Sequence, residues 1–154
     1  MIKVEIFNMY IMKRLIIEIT VYVFIVLFFY TGLSKIVDFN VFFVGVSGVP
    51  ALKKFAYIIA VAVPVIELII VALLLIPKTK GLGLRASFIL MTIFTVYVAL
   101  ILGTSKHLPC SCGGIFYKIS WKPHLYLNIF LTLLAAISLY FIKDERKFKL
   151  STQR

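Results

Sequence analysis

Acidic residues are scarce in this chain: six among 154, against seventeen lysines and arginines. Only 15% of the residues are charged, while 62% are hydrophobic. So few charges cannot cover the surface of a soluble domain of this length, which leaves an integral membrane protein. Cysteine is scarcer still: there are two, so an intramolecular disulfide joins this pair or none. Tryptophan occurs once and histidine twice, and all three lie with both cysteines in one stretch, HLPCSCGGIFYKISWKPHLYLN, residues 107–128. No repeat of solenoid period and no low-complexity tract is present. No basic patch interleaved with aromatics occurs either, so nucleic acid is excluded as the partner of the +11 net charge. That charge instead suits anionic lipid headgroups.

Long apolar runs fill the space that polar residues leave. Spanning a bilayer core takes about 20 apolar residues in a helix. Four segments qualify, at residues 15–32, 55–76, 86–102 and 124–142. They predict an all-α integral membrane four-helix bundle that forms a single domain over residues 1–154. The first run is expected to be a retained helix and not a cleaved signal peptide, because it is long and no A-x-A-like site follows FFYTGLSK. The charged tail KDERKFKLSTQR is expected to fray.

The basic residues give the orientation. Lys3, Lys13, Arg14, Lys78, Lys80, Arg85, Lys143, Arg146, Lys147, Lys149 and Arg154 lie on one side of the four spans, eleven in all. Lys35, Lys53, Lys54, Lys106, Lys118 and Lys122 lie on the other, six in all. The positive-inside rule then expects both termini in the cytoplasm and the cysteine loop on the periplasmic side of a bacterial inner membrane.

Cys110 and Cys112 would thus face an oxidising compartment, where disulfides form and persist. A bridge between them closes a very small ring. It would be nearly useless as a staple, since it removes almost no freedom from the unfolded chain. The same ring stores strain, and strained exposed disulfides are the ones that exchange readily. Gly113 and Gly114 let a partner's backbone approach the sulfurs closely. Three readings compete. One is thiol–disulfide exchange. The second is a zinc or copper(I) site made by His107, Cys110, Cys112 and His124, an H-x2-C-x-C-x11-H arrangement. The third is a loop whose thiols do nothing, in an accessory subunit without chemistry of its own.

Other polar residues are weighed in the same way. Glu67 stands mid-helix in the second span, where a charged carboxylate costs ~2.5–3.5 kcal/mol on insertion scales. No lysine or arginine is expected at its depth, so it is expected to be protonated or bonded to a hydroxyl or amide. Its functional reading is a proton relay or a quinone contact, and its structural reading is an interhelical hydrogen bond. Pro64 withholds an N–H from the helix one turn before. Glu18 is expected in a surface pair with Arg14 or snorkelled to the interface. Lys35 and Asp38 are expected to form a loop-fixing ion pair. The stretch DFNVFFVGVSGVPALKK is too short to span and is expected at the interface. Trp121 suits the aromatic belt. His124 and Asn128, four apart, share one helix face. If that face looks inward, the histidine could approach the cysteines and take a thiol proton or stabilise a thiolate, whereas the asparagine suits interhelical bonding.

PCSCGG, then ISW, then His124 and Asn128 opening the last helix, resemble the MauE branch of the DoxX/MauE redox-associated membrane proteins. FFYTGLSKIVDFNVF agrees, with Gly32, Leu33 and Lys35 in the family's Gly-Leu-x-Lys, followed by the acid Asp38 and the aromatic Phe39. So does VPVIEL, with Pro64 and Glu67. The chain reads Cys-x-Cys-Gly-Gly where many relatives read Cys-x-Cys-Phe-Gly, and carries Leu127 where many carry arginine. The resemblance implies a four-helix protein linked to maturation of disulfide-containing periplasmic proteins, with a thioredoxin-like partner. Its founding member serves methylamine dehydrogenase assembly.

Overall fold

A computed structural model describes residues 2–104 and 121–152, with side chains over residues 9, 11–103 and 123–143. Every described element is helical. Helices α1 (Ile2–Val37), α3 (Ala56–Leu75), α4 (Lys80–Thr104) and α5 (Trp121–Thr152) are the long ones, and α2 (Phe39–Ser47) is a short helix between the first two. A single 3-10 turn, Lys53–Phe55, leads into α3. Among the described residues, four stretches are long and apolar enough to cross a membrane: Ile11–Val37, Lys53–Leu75, Lys80–Gly103 and Pro123–Lys143. The expected all-α four-helix membrane bundle is what the chain forms.

The spans pack in a closed ring, α1 on α3, α3 on α4, α4 on α5 and α5 back on α1. Each long helix presents one stripe inward. On α1 the stripe is Ile17, Val21, Phe24, Phe28, Thr31 and Lys35, spaced alternately four and three residues apart, as a bundle-facing seam requires. Phe24 and Phe28 stack with ring centroids 5.5 Å apart. They join Ile70, Val71, Leu74, Leu84, Met91, Leu131 and Ala135 in the main core. Hydroxyls bridge helices within it: Ser138 donates to Thr20 at 2.8 Å, and Thr95 and Thr132 lie 3.1 Å apart. Such bonds supply specificity where lipid tails give no hydrophobic drive for helix association.

Helix boundaries differ from the expected ones for local reasons. Helix α1 runs five residues past Gly32 and breaks at Asp38, whose φ of −100° and ψ of 41° leave the helical region. The stretch expected at the interface is therefore mostly helix α2, and its Phe42 and Val46 pack on Ala56 and Ala60 of α3. Helix α4 starts at Lys80 and not at residue 86, because the glycines of GLGLR do not break it. A Cβ at Gly83 would lie 2.8 Å from Leu74 Cδ2 and 3.0 Å from the Leu74 backbone nitrogen, so the missing side chain lets α3 and α4 approach closely. The tail expected to fray continues α5 as helix to Thr152.

The close approach makes a contrast between two glycines. Gly83→Ala should destabilise the bundle by about 1–3 kcal/mol through overpacking against α3. Gly103→Ala, where nothing among the described residues lies within 4 Å of the added carbon, should be neutral or stabilise through helix propensity, by up to about 1 kcal/mol. Unfolding in mixed micelles measures both, and equal responses would contradict the packing account.

Candidate functional site

Glu67 is the buried acid around which the polar interior of the bundle is organised. It continues the inward stripe of α3 (Ala56, Ala60, Pro64, Glu67, Ile70 and Leu74 are all buried), and it is 1% exposed. By helix rise it stands about 16 Å from one end of α3 and about 12 Å from the other, near mid-bilayer. Pro64 supplies no N–H to the carbonyl one turn back, which softens the helix just before the carboxylate.

Its partner corrects the sequence reading. Lys35 Nζ donates to Glu67 Oε1 at 2.7 Å and to Oε2 at 3.0 Å, and the Thr31 hydroxyl donates to Oε1 at 3.2 Å. The expectation that no cation lies at the depth of Glu67 fails because α1 continues and puts Lys35 on its inward stripe. From there a four-carbon stem reaches back toward mid-bilayer. The expected Lys35–Asp38 pair is overturned for the same reason. Lys35 is 8% exposed and points into the bundle, whereas Asp38 is exposed at the helix break. Gly32, between Thr31 and Lys35, lets α1 meet α3. A Cβ there would lie 3.4 Å from Leu68 and 3.5 Å from the Glu67 Cβ. Two aromatic rings flank the ammonium: Nζ lies 5.6 Å from the Phe42 centroid and 5.8 Å from that of Phe94. Four helices thus contribute to one charged pair.

A second pair closes the other end of the bundle. Lys80 donates to both oxygens of Glu18, at 2.8 and 2.9 Å. Glu18 was expected in a surface pair with Arg14 or snorkelled to the interface; it lies in a partly exposed pair whose cation is Lys80, the first residue of α4. The pair is partly exposed, and its contribution to stability is correspondingly small.

Near the cysteine segment, α5 starts at Trp121, and Pro123 sits in its first turn, where a missing N–H costs nothing. Asn128 is buried at 6% exposure, so the face it shares with His124 looks inward. The Thr132 hydroxyl donates to the Asn128 carbonyl at 2.7 Å. His124 is half-buried on that face. His124 and Asn128 thus lie on a face turned toward the bundle interior, which spacing alone left open. For Lys35 the stripe of α1 was the available signal: Thr31 and Lys35 continue it, and the second continues it as a charge.

Cys110, Cys112, His107, Gly113 and Gly114 lie outside the described residues, as does the side chain of Trp121. Among the described residues no three His, Cys, Asp or Glu side chains cluster to hold a metal ion. Three of the four members of the alternative metal set are likewise outside them.

No curated protein and no solved structure matches the chain. The family model for methylamine utilisation protein MauE matches residues 13–141, which covers all four membrane-crossing stretches nearly end to end. With an all-α bundle of four spans and most of the chain inside that match, the protein belongs to the MauE family.

Proposed function

We propose that the chain is a membrane thiol–disulfide exchange component whose Cys110–Cys112 pair passes equivalents to or from a thioredoxin-like protein in the periplasm, in support of the maturation of disulfide-containing clients. The observation that carries this reading is that both of the chain's cysteines stand in one Cys-x-Cys between α4 and α5. The excess of basic residues on the opposite side supports a periplasmic position for that segment in a bacterial inner membrane. Membership of the MauE family supports a membrane role beside disulfide chemistry. The exchange balances without a cofactor. One sulfur of a dithiol attacks the disulfide, a mixed disulfide forms, and the resolving sulfur releases it, so two electrons and two protons pass between the pairs. With two cysteines in all, the chain has no second cysteine pair to carry electrons across the bilayer. Net turnover then draws on the partner or on a quinone in the membrane.

Thiol labelling tests this reading, because every label falls on one of two positions. In intact cells a membrane-impermeant maleimide should label both cysteines after mild dithiol treatment and neither before it. The disulfide should titrate at a potential above the range of structural disulfides, which lie below about −300 mV. Labelling that requires a permeable reagent, or thiols already free in cells, would overturn the proposed compartment and redox state.

A further inference from the structure

The bundle interior is asymmetric about Glu67. Toward the end where α5 begins, polar side chains continue from the carboxylate: Thr31 and Lys35 bond to it from α1, Asn128 lies buried on α5, and His124 stands half-buried one turn above that asparagine. Toward the end where Lys80 pairs with Glu18, the interior turns largely apolar, and the buried Ser87 hydroxyl of α4 at that end is taken up by the Gly83 carbonyl of its own helix at 2.8 Å. Along α1 the next inward hydroxyl is Thr20, eleven residues from Thr31 or about 16 Å by helix rise. Phe24 and Phe28 fill that interval, at 0% and 1% exposure. Ile70, Val71 and Leu74 of α3 and Met91 of α4 close the same level, all buried in the same core.

We propose that the Lys35–Glu67 pair is a proton-holding site that exchanges protons with the His124 end of the bundle and is sealed from the Lys80 end by the Phe24–Phe28 core. The step is a simple protonation. A proton delivered from the His124 end binds a Glu67 oxygen, the carboxylate becomes a neutral acid, and the ammonium of Lys35 keeps its charge. The two rings give this state its physical basis. Phe42 and Phe94 each present a face within 6 Å of Nζ, and such contacts hold a desolvated cation when its carboxylate is neutralised. Thr31 can bond either form of the acid, because a hydroxyl donates and accepts. Among the described residues, the charged group bonded to the carboxylate is Lys35 from α1, and the titratable side chain on the inward face of α5 is His124. Helices α2 and α4 bring the rings of Phe42 and Phe94, with Tyr97 half-buried one turn beyond Phe94. The inference rests on the bundle interior and is independent of what the cysteines do.

The test is infrared difference spectroscopy on the full chain, reconstituted in one orientation, with the pH stepped separately on each side of the membrane. Isotopic labelling of glutamate identifies the carboxylic-acid carbonyl band. Loss of that band in Glu67→Gln, or its shift out of the glutamate set in Glu67→Asp, assigns it to this residue, and either variant suffices if the other fails to fold. Acidifying the His124 side should raise the Glu67 band, and the same step on the Lys80 side should leave it unchanged. A band that responds from the Lys80 side, responds equally from both sides, or responds from neither would overturn the proposal.

Discussion

Lys35→Met should destabilise the bundle by about 3–5 kcal/mol, the cost of leaving one charge of a buried pair without its partner. The carboxylate of Glu67 is 1% exposed, and after the substitution it would keep, among the described residues, the hydroxyl of Thr31 at 3.2 Å. Glu67→Met should cost a similar amount by stranding the ammonium, moderated by the rings of Phe42 and Phe94. The double variant Lys35→Met/Glu67→Met should recover most of the loss, since replacing a whole buried ion pair by apolar groups of similar volume is often neutral or stabilising. Unfolding of the four proteins in mixed micelles forms a double-mutant cycle. Additive losses would show that the two side chains act separately and would contradict the pairing.

That pair marks the limit of what the sequence reveals. The four spans are legible because spanning needs only a sustained apolar run, a property summed over about 20 residues and insensitive to single errors. Helix ends are not summed in this way. Lys35 reads as the end of a span because lysine is costly in lipid. It becomes an interior residue only once α1 is known to continue and α3 to run antiparallel beside it with Glu67 at the right level. The four-and-three spacing from Ile17 through Phe24, Phe28 and Thr31 to Lys35 holds that information, but nothing in it says which carboxylate lies opposite. Glycines mislead in the same way: Gly83 looks like a helix breaker until Leu74 occupies the space its side chain would fill. That His124 and Asn128 share one face was legible as spacing, while its inward orientation shows only in the burial of Asn128 against the other helices.

A second large effect is expected at the cysteines, and it should fall on activity and not on the fold. Cys110→Ser/Cys112→Ser removes both sulfurs, and a hydroxyl cannot form or exchange a disulfide, so exchange should drop to background. The same variant should lose no more than about 1–2 kcal/mol of stability, because a bond across one intervening residue closes a minimal loop in the unfolded chain. Maturation of disulfide-bearing clients and unfolding in micelles, measured on the same preparation, separate the two effects. A stability loss as large as that of Lys35→Met would recast the cysteines as structural.

The most direct measurement uses the single variants. Cys110→Ser and Cys112→Ser are expressed separately, thiols are blocked with an alkylating agent at harvest, and adducts are resolved on non-reducing gels. When the resolving sulfur is the one removed, the attacking sulfur has no intramolecular escape, and the mixed disulfide with the partner persists. One variant should therefore show an adduct the size of a thioredoxin-like protein that disappears on reduction, and the other should show little or none. If neither variant traps an adduct and the double variant still supports client maturation, Cys110 and Cys112 are not the site of exchange.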